Sequence, residues 1–142
     1  VDELSFEDAG AAEPAPGVID AIDRAGVVVI APSNPPLSVW PILAIPRIRE
    51  ALAKTRRVIA VSPLFRGKAL KGPADRVMAG LGLAEGNQGV ADAYEGLIDD
   101  LVADQGDAGE SIATPATVHH LDTRIADPSA AARFAQALLE LP

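Results

Sequence analysis

"VVVIAPSNPPLSVWPILAIPRIREALAKTRRVIAVSP", residues 27–63, decides the fold class. Each end holds a continuous β-branched run, VVVI (27–30) and RVIAV (57–61). Such runs mark strands buried on both faces of a parallel sheet. Between them, PILAI and PRIREALAKT read as two helical pieces broken at Pro46, whose ring cannot continue a helix begun before it. Strand, loop, helix, strand over about 35 residues is a βαβ unit, so the sheet is expected to be parallel and the class α/β. Both strands run into loops with Ser-Pro character, Pro32-Ser33-Asn34-Pro35-Pro36 and Ser62-Pro63. In open α/β sheets ligands bind at the carboxyl ends of the strands, where these two loops leave.

The same logic extends outward. Upstream, LSFEDA (4–9) alternates like an early or edge strand, AAEPAPG is a linker, and GVIDAIDRAG (17–26) spaces Val18, Ile19, Ile22 and Ala25 as a helix stopped by Gly26. Downstream, Gly72-Pro73 introduces a helix with Pro73 in its first turn and Val77, Met78, Leu81 and Leu83 on its apolar side. A short helix follows near 89–96, then a strand in LIDDLVA, and strand character in SIATPATVHHLDT with Pro115 at an edge or bend. DPSAAARFAQALLEL reads as the clearest helix, with Asp127 as N-cap, Pro128 at the first position, and Ala131, Phe134, Ala135, Leu138 and Leu139 on one face.

The chain has 142 residues and 49% hydrophobic residues, enough to bury a core. It has no apolar run of the ~20 residues that span a bilayer, and with no cysteine it has neither disulfides nor thiolate metal sites. A cytoplasmic location is expected. It opens on Val1 and its one methionine is Met78, so it reads as a piece of a longer chain. The net charge is −8, yet nine of the twelve basic residues fall between Arg47 and Arg76, alongside only two acids, Glu50 and Asp75. An acidic protein that gathers its cations in one stretch favours an anionic ligand there, although Arg47, Arg49 and Lys54 also suit a solvated helix face. Nucleic acid is not expected: the remaining surface is acidic, and three Phe, one Trp and one Tyr leave little for base stacking.

The chemistry offered is that of binding. Ser33, Asn34 and Ser38 present hydroxyl and amide donors beside backbone N–H groups at a helix start, a setting that suits a phosphate; a plain proline-rich turn is the competing reading. Lys68, Lys71 and Gly72 lie in a glycine-flanked loop, RGKALKGPAD, which lacks the spacing and the final Ser/Thr of a Walker A loop. His119 and His120 are adjacent in a strand and point to opposite faces, so they do not share a metal. Asp99 and Asp100 are poor acid–base partners for the same reason. Neither a Cys–His pair nor a G-x-S-x-G elbow is present. Binding groups without an evident base suit phosphoryl transfer, in which positioning and charge neutralisation carry most of the catalysis.

Taken together, APSNPPLSVWPILAIPRIREAL and VIAVSPLFRGKALKGPADRVMAGLG resemble the 2-phospho-L-lactate transferase family of coenzyme F-420 biosynthesis, whose actinobacterial members are phosphoenolpyruvate transferases. PAPGVIDAIDRAGVVVI before them and DTRIADPSAAARFAQALLE after them also fit, so the resemblance spans nearly the whole chain and is weakest over 105–120. It implies a Rossmann-like three-layer fold of which residues 1–142 are the carboxyl-terminal portion. It further implies transfer of a phospholactyl or phosphoenolpyruvyl group from its guanosine diphosphate ester to the ribityl hydroxyl of the deazaflavin Fo, with release of GMP and with magnesium. Ser33, Asn34 and Ser38 match the family's loop expected near the diphosphate, and Lys68, Lys71 and Gly72 match its GKALKGPAD loop expected near the nucleotide. The family's glycine-rich nucleotide turn and the aspartates expected to hold magnesium and contact the deazaflavin are not among these residues. The chain alone is therefore expected to be inactive, and the partners expected are small molecules, with a homodimer allowed. Trp40 either narrows the site or packs in the core. A binding-only relative resembling the gluconeogenesis-factor family, which takes nucleotide-sugar-like ligands, is the alternative; GKALKGPAD favours the transferases.

Overall fold

The computed structural model describes residues 3–69 and 72–142. In chain order the elements are α1 (Val18–Arg24), β1 (Val28–Ile30), α2 (Trp40–Leu43), α3 (Pro46–Leu52), β2 (Val58–Val61), β3 (Leu64–Phe65), β4 (Lys68–Ala69), α4 (Ala74–Gly80), α5 (Gly86–Ala93), β5 (Asp100–Asp104), β6 (Thr117–Leu121) and α6 (Pro128–Leu139). The four long strands form one sheet in the order β1-β2-β5-β6, parallel throughout. The fold is α/β with helices on both faces, three layers as expected for a Rossmann-like fragment.

Alternation along the strands sorts the core. Ala60 and Leu101 face one side, where Leu43, Leu52, Met78, Val90 and Tyr94 join Val28 and Ile30 against α1 to α5. Ile59, Val61 and Val102 face the other side and are covered by Phe134 and Leu138 of α6. β2 and β5 are buried at every position, as central strands of a parallel sheet must be.

Four expectations are corrected. Residues 4–9 form no strand; Leu4 and Phe6 are half-buried in alternation, but Asp8 turns left-handed (φ 60°) into a short 3-10 turn at Ala9–Ala11. The alternating pattern there reflects burial without a hydrogen-bonding neighbour. β1 is not buried on both faces: it is an edge strand, and Val29 is 41% exposed because its face lies beyond the reach of α6. α5 starts at Gly86, three residues before the expected 89, where Gly86 (φ 69°) makes the turn into the helix. On α6, Ala135 and Leu139 are solvent-facing, and the buried stripe is narrower, Phe134 and Leu138. The cap is as expected: the Asp127 carboxylate accepts from the Ala130 N–H at 2.8 Å.

Trp40 is a core residue. Its ring packs against the main core and its indole N–H donates to the Ala93 carbonyl at 2.9 Å, pinning α2 to the end of α5.

Candidate binding cleft

Because all four strands are parallel, the turns after β1, β2, β5 and β6 emerge along a single edge. There the segments after β1, β2 and β6, with the β3–β4 hairpin and the start of α4, line a cleft of about 400 Å³. One wall is Pro32, Ser33, Asn34 and Ser38; a second is Pro63, Phe65 and Ala69; Gly72, Pro73 and Ala74 close one end, and Thr123 and Ile125 stand opposite. Four of the residues singled out in the sequence, Ser33, Asn34, Ser38 and Gly72, thus meet in one cleft.

The proline-rich stretch owes its shape to missing donors. Pro35 and Pro36 open a π-helical turn, Pro35–Val39, at the two positions where a helix has no use for an N–H. Both rings are buried, and the Trp40 N–H closes the turn on the Pro35 carbonyl. The Asn34 side chain caps it, Oδ1 accepting from the Leu37 N–H at 3.2 Å, while the Ser38 N–H donates to the Asn34 carbonyl at 2.9 Å. Two backbone amides expected to be available, those of Leu37 and Ser38, are therefore spent inside the loop. The N–H groups of Ser33 and Asn34 donate to no acceptor among the described residues, and the cap leaves the Asn34 NH₂ group as the outward donor. The expected helix-dipole contribution is also reduced. The turn has five residues and α2 four, so the anion-binding capacity rests on individual donors.

After β2, Ser62 is fully buried. Its hydroxyl donates to Asn87 Oδ1 (2.5 Å) and accepts from the Leu64 N–H (3.1 Å). Asn87 in turn donates through Nδ2 and its backbone N–H to the two oxygens of Glu110 at 2.6 and 2.7 Å. This chain ties the Ser-Pro turn to the start of α5. Beyond it, β3 and β4 form a hairpin with the two-residue turn Arg66-Gly67, both at positive φ (52° and 72°), as a type I′ turn requires. Alternation puts Ala69 on the cleft and Lys68 on a neighbouring hollow of about 210 Å³ with Asp75 and Arg76. Lys68 therefore does not line the cleft with Ser33 and Asn34. Lys71 lies outside the described residues.

At the far side, Asp104 ends β5 with its carboxylate buried. It accepts from the Gly106 N–H (2.9 Å), the Thr123 N–H (3.3 Å) and the Thr123 hydroxyl (3.1 Å). Burial alone would raise its pKa, but these donors outweigh it and hold the carboxyl below its usual range.

The opposite edge of the sheet carries a different polar group. Arg57 grips Asp100 with two bonds of 2.6 and 2.9 Å and also reaches the backbone oxygens of Leu141 and Pro142, while His119 Nε2 lies 2.7 Å from the second Asp100 oxygen. Asp99 takes the Val58 N–H at 2.7 Å. The two aspartates and His119 are thus tied into the scaffold at the edge away from the cleft. His119 makes this contact with Asp100, and His120 does not share it. Among the described residues no group of three or more His, Asp or Glu side chains is placed to hold a metal ion. No helix among them is long and apolar enough to cross a membrane.

Two parts of the cleft, the hairpin and the Thr123–Ile125 wall, and the Ser62–Asn87–Glu110 chain behind the Ser-Pro turn were missed in the sequence. The turn of the hairpin, Arg66-Gly67, is not one of the Asn-Gly, Asp-Gly or Gly-Gly pairs that mark a hairpin in sequence. The other two depend on contacts across 19 to 25 residues and carry no local pattern.

A family model described as 2-phospho-L-lactate transferase CofD matches residues 1–137. A phosphoenolpyruvate transferase of Thermobifida fusca is 37% identical over 140 residues, covering 96% of this chain and 43% of that protein. One from Streptomyces griseus is 39% identical over 135 residues, covering 92% and 42%. A 2-phospho-L-lactate transferase of Methanothermobacter thermautotrophicus is 41% identical over 96 residues, covering 68% and 31%. The chain spans less than half the length of these relatives.

Proposed function

The chain belongs to the 2-phospho-L-lactate transferase CofD family, and from that premise we propose that its cleft binds the diphosphate of a guanosine diphosphate ester of phospholactate or phosphoenolpyruvate. The protein would transfer the acid-bearing phosphoryl group to the deazaflavin Fo and release GMP. The observation that carries this reading is the convergence of Ser33, Asn34, Ser38 and Gly72 on one cleft at the carboxyl edge of a parallel sheet. The Ser33 hydroxyl, the Asn34 NH₂ and the N–H groups of those two residues are donors held in place by a loop that two buried prolines stiffen. Donors that need no reordering lose little on binding and can follow charge as it shifts to the leaving phosphate. Lys68, one shell away, adds positive potential, and Lys71 is proposed as a nucleotide contact of the same loop. Magnesium is proposed as the family's metal, held by residues other than those described. Every relative named above is a transferase, which favours this reading over a binding-only protein.

The test is Asn34→Ala, followed by GDP titration and melting temperature. Losing a hydrogen bond to a charged group costs about 1.5–3 kcal/mol, hence roughly a 10- to 150-fold weaker Kd. The cap to Leu37 is lost as well, so a fall in melting temperature equivalent to about 1 kcal/mol is expected alongside it. Unchanged GDP affinity in the folded variant would leave the loop as structural punctuation.

A further inference from the structure

The cleft wall formed by residues 122–125 has no role in the reading above, yet it is the most deliberately anchored part of the site. From below, the buried Asp104 carboxylate holds both the N–H and the hydroxyl of Thr123. From the side, the Arg124 guanidinium lies over the Phe65 ring at 5.5 Å from its centroid, joining this wall to the β3–β4 hairpin. Between these two ties the backbone turns, the Arg124 N–H donating to Asp122 Oδ1 at 3.2 Å. What the ties present to the cleft is Ile125, a large aliphatic side chain left 50% exposed and facing a wall of hydroxyl and amide donors. An anchored loop that holds an isoleucine half in water at a cleft mouth has an apolar surface ready for a ligand to cover.

We propose that the Thr123–Ile125 wall is the specificity surface of the site: Ile125, with Phe65, covers the flat organic group carried by the phosphate, and Thr123, through Asp104, positions that surface. This rests on the reading that the Ser33–Asn34 wall takes the phosphate. The shared ligand chemistry is an unsaturated planar group on a phosphate, either the purine of a nucleotide or the enol acid of phosphoenolpyruvate. Ile125 would touch the ligand; Asp104 and Thr123 act only through the loop they hold.

The experiment is calorimetric titration of the 142-residue chain with three probes: inorganic pyrophosphate, which has no organic group, GDP, and phosphoenolpyruvate. Ile125→Ala removes a half-exposed side chain and leaves the core intact. It should weaken GDP or phosphoenolpyruvate about fivefold, the value of roughly 1 kcal/mol of lost apolar cover, while pyrophosphate changes less than twofold. Weakening of GDP alone assigns the wall to the base, and weakening of phosphoenolpyruvate alone assigns it to the acid; either supports the proposal. Thr123→Val should reproduce the same probe-dependent loss with faster amide exchange confined to 122–127, and Thr123→Ser should restore it. Equal weakening of all three probes by Ile125→Ala, or no weakening of any, overturns the proposal while leaving the phosphate reading in place. If the unaltered chain binds none of the probes, the phosphate reading falls and this inference falls with it.

Discussion

At the scale of single residues, two polar clusters at opposite edges of the sheet do different work. At the cleft edge, Asn34 uses its side-chain carbonyl oxygen to cap a turn, and its NH₂ is not spent on that cap. At the other edge, Arg57, Asp100 and His119 satisfy one another with the Asp100 side chain only 5% exposed. Arg57 holds the Asp100 carboxyl below the usual carboxylate range against the opposing effect of burial, with His119 adding to it, and Asp100 in return raises the Arg57 pKa. Arg57→Ala is expected to destabilise toward the lower end of about 3–5 kcal/mol, because a buried carboxylate loses its main partner but keeps His119; urea unfolding measures it. The sign of the pH effect follows from the lowered pKa. Asp100 contributes its full stabilisation above the unfolded carboxylate value of about 4, and that contribution disappears as the pH falls through the lower folded-state pKa. Melting curves between about pH 5 and 2 should therefore show a steeper loss for the unaltered chain than for Asp100→Asn. Parallel curves would mean that the pair does not couple to folding. None of this was legible from sequence, where Asp99-Asp100 is an acidic doublet and its partners lie 19 to 43 residues away.

At the scale of elements, pattern predicted type well and surroundings poorly. β2 and α6 were readable because a β-branched run and an Asp-Pro cap act locally, whereas β5 starts at Asp100, three residues into the expected LIDDLVA strand. The burial of β1 was misjudged, because VVVI cannot say whether a helix reaches over it. α5 shows tertiary packing overruling propensity. Gly89 lies buried inside this helix, and an alanine there would favour the helix by roughly 0.5–1 kcal/mol. A Cβ at Gly89, however, would be driven into the Ala84 carbonyl oxygen of the preceding backbone. The backbone must move to admit it, so Gly89→Ala is expected to destabilise by about 1–3 kcal/mol net. Chemical denaturation decides the sign; a stabilised variant would mean that the approach of residue 84 to α5 is loose.

At the scale of the molecule, the parallel order β1-β2-β5-β6 is what turns distant sequence signals into one site. The Ser-Asn loop and Gly72 were legible as candidates because their composition was unusual for a turn, and the family resemblance carried over the whole chain. Lys68 lies apart from them because the alternation of the hairpin turns it to the neighbouring hollow. The wall at Thr123 was not legible, since its anchor is a buried aspartate on another strand. The cleft at the carboxyl edge, and not the Arg57–Asp100 edge, is proposed to receive a nucleoside diphosphate. The direct measurement is a GDP titration of the isotope-labelled 142-residue chain followed by amide chemical shifts. Concentration-dependent shifts are expected at Ser33, Asn34, Gly72 and Thr123, with those of Arg57, Asp100 and His119 unmoved. Shifts centred on the Arg57–Asp100 edge, or none up to millimolar GDP, would contradict it.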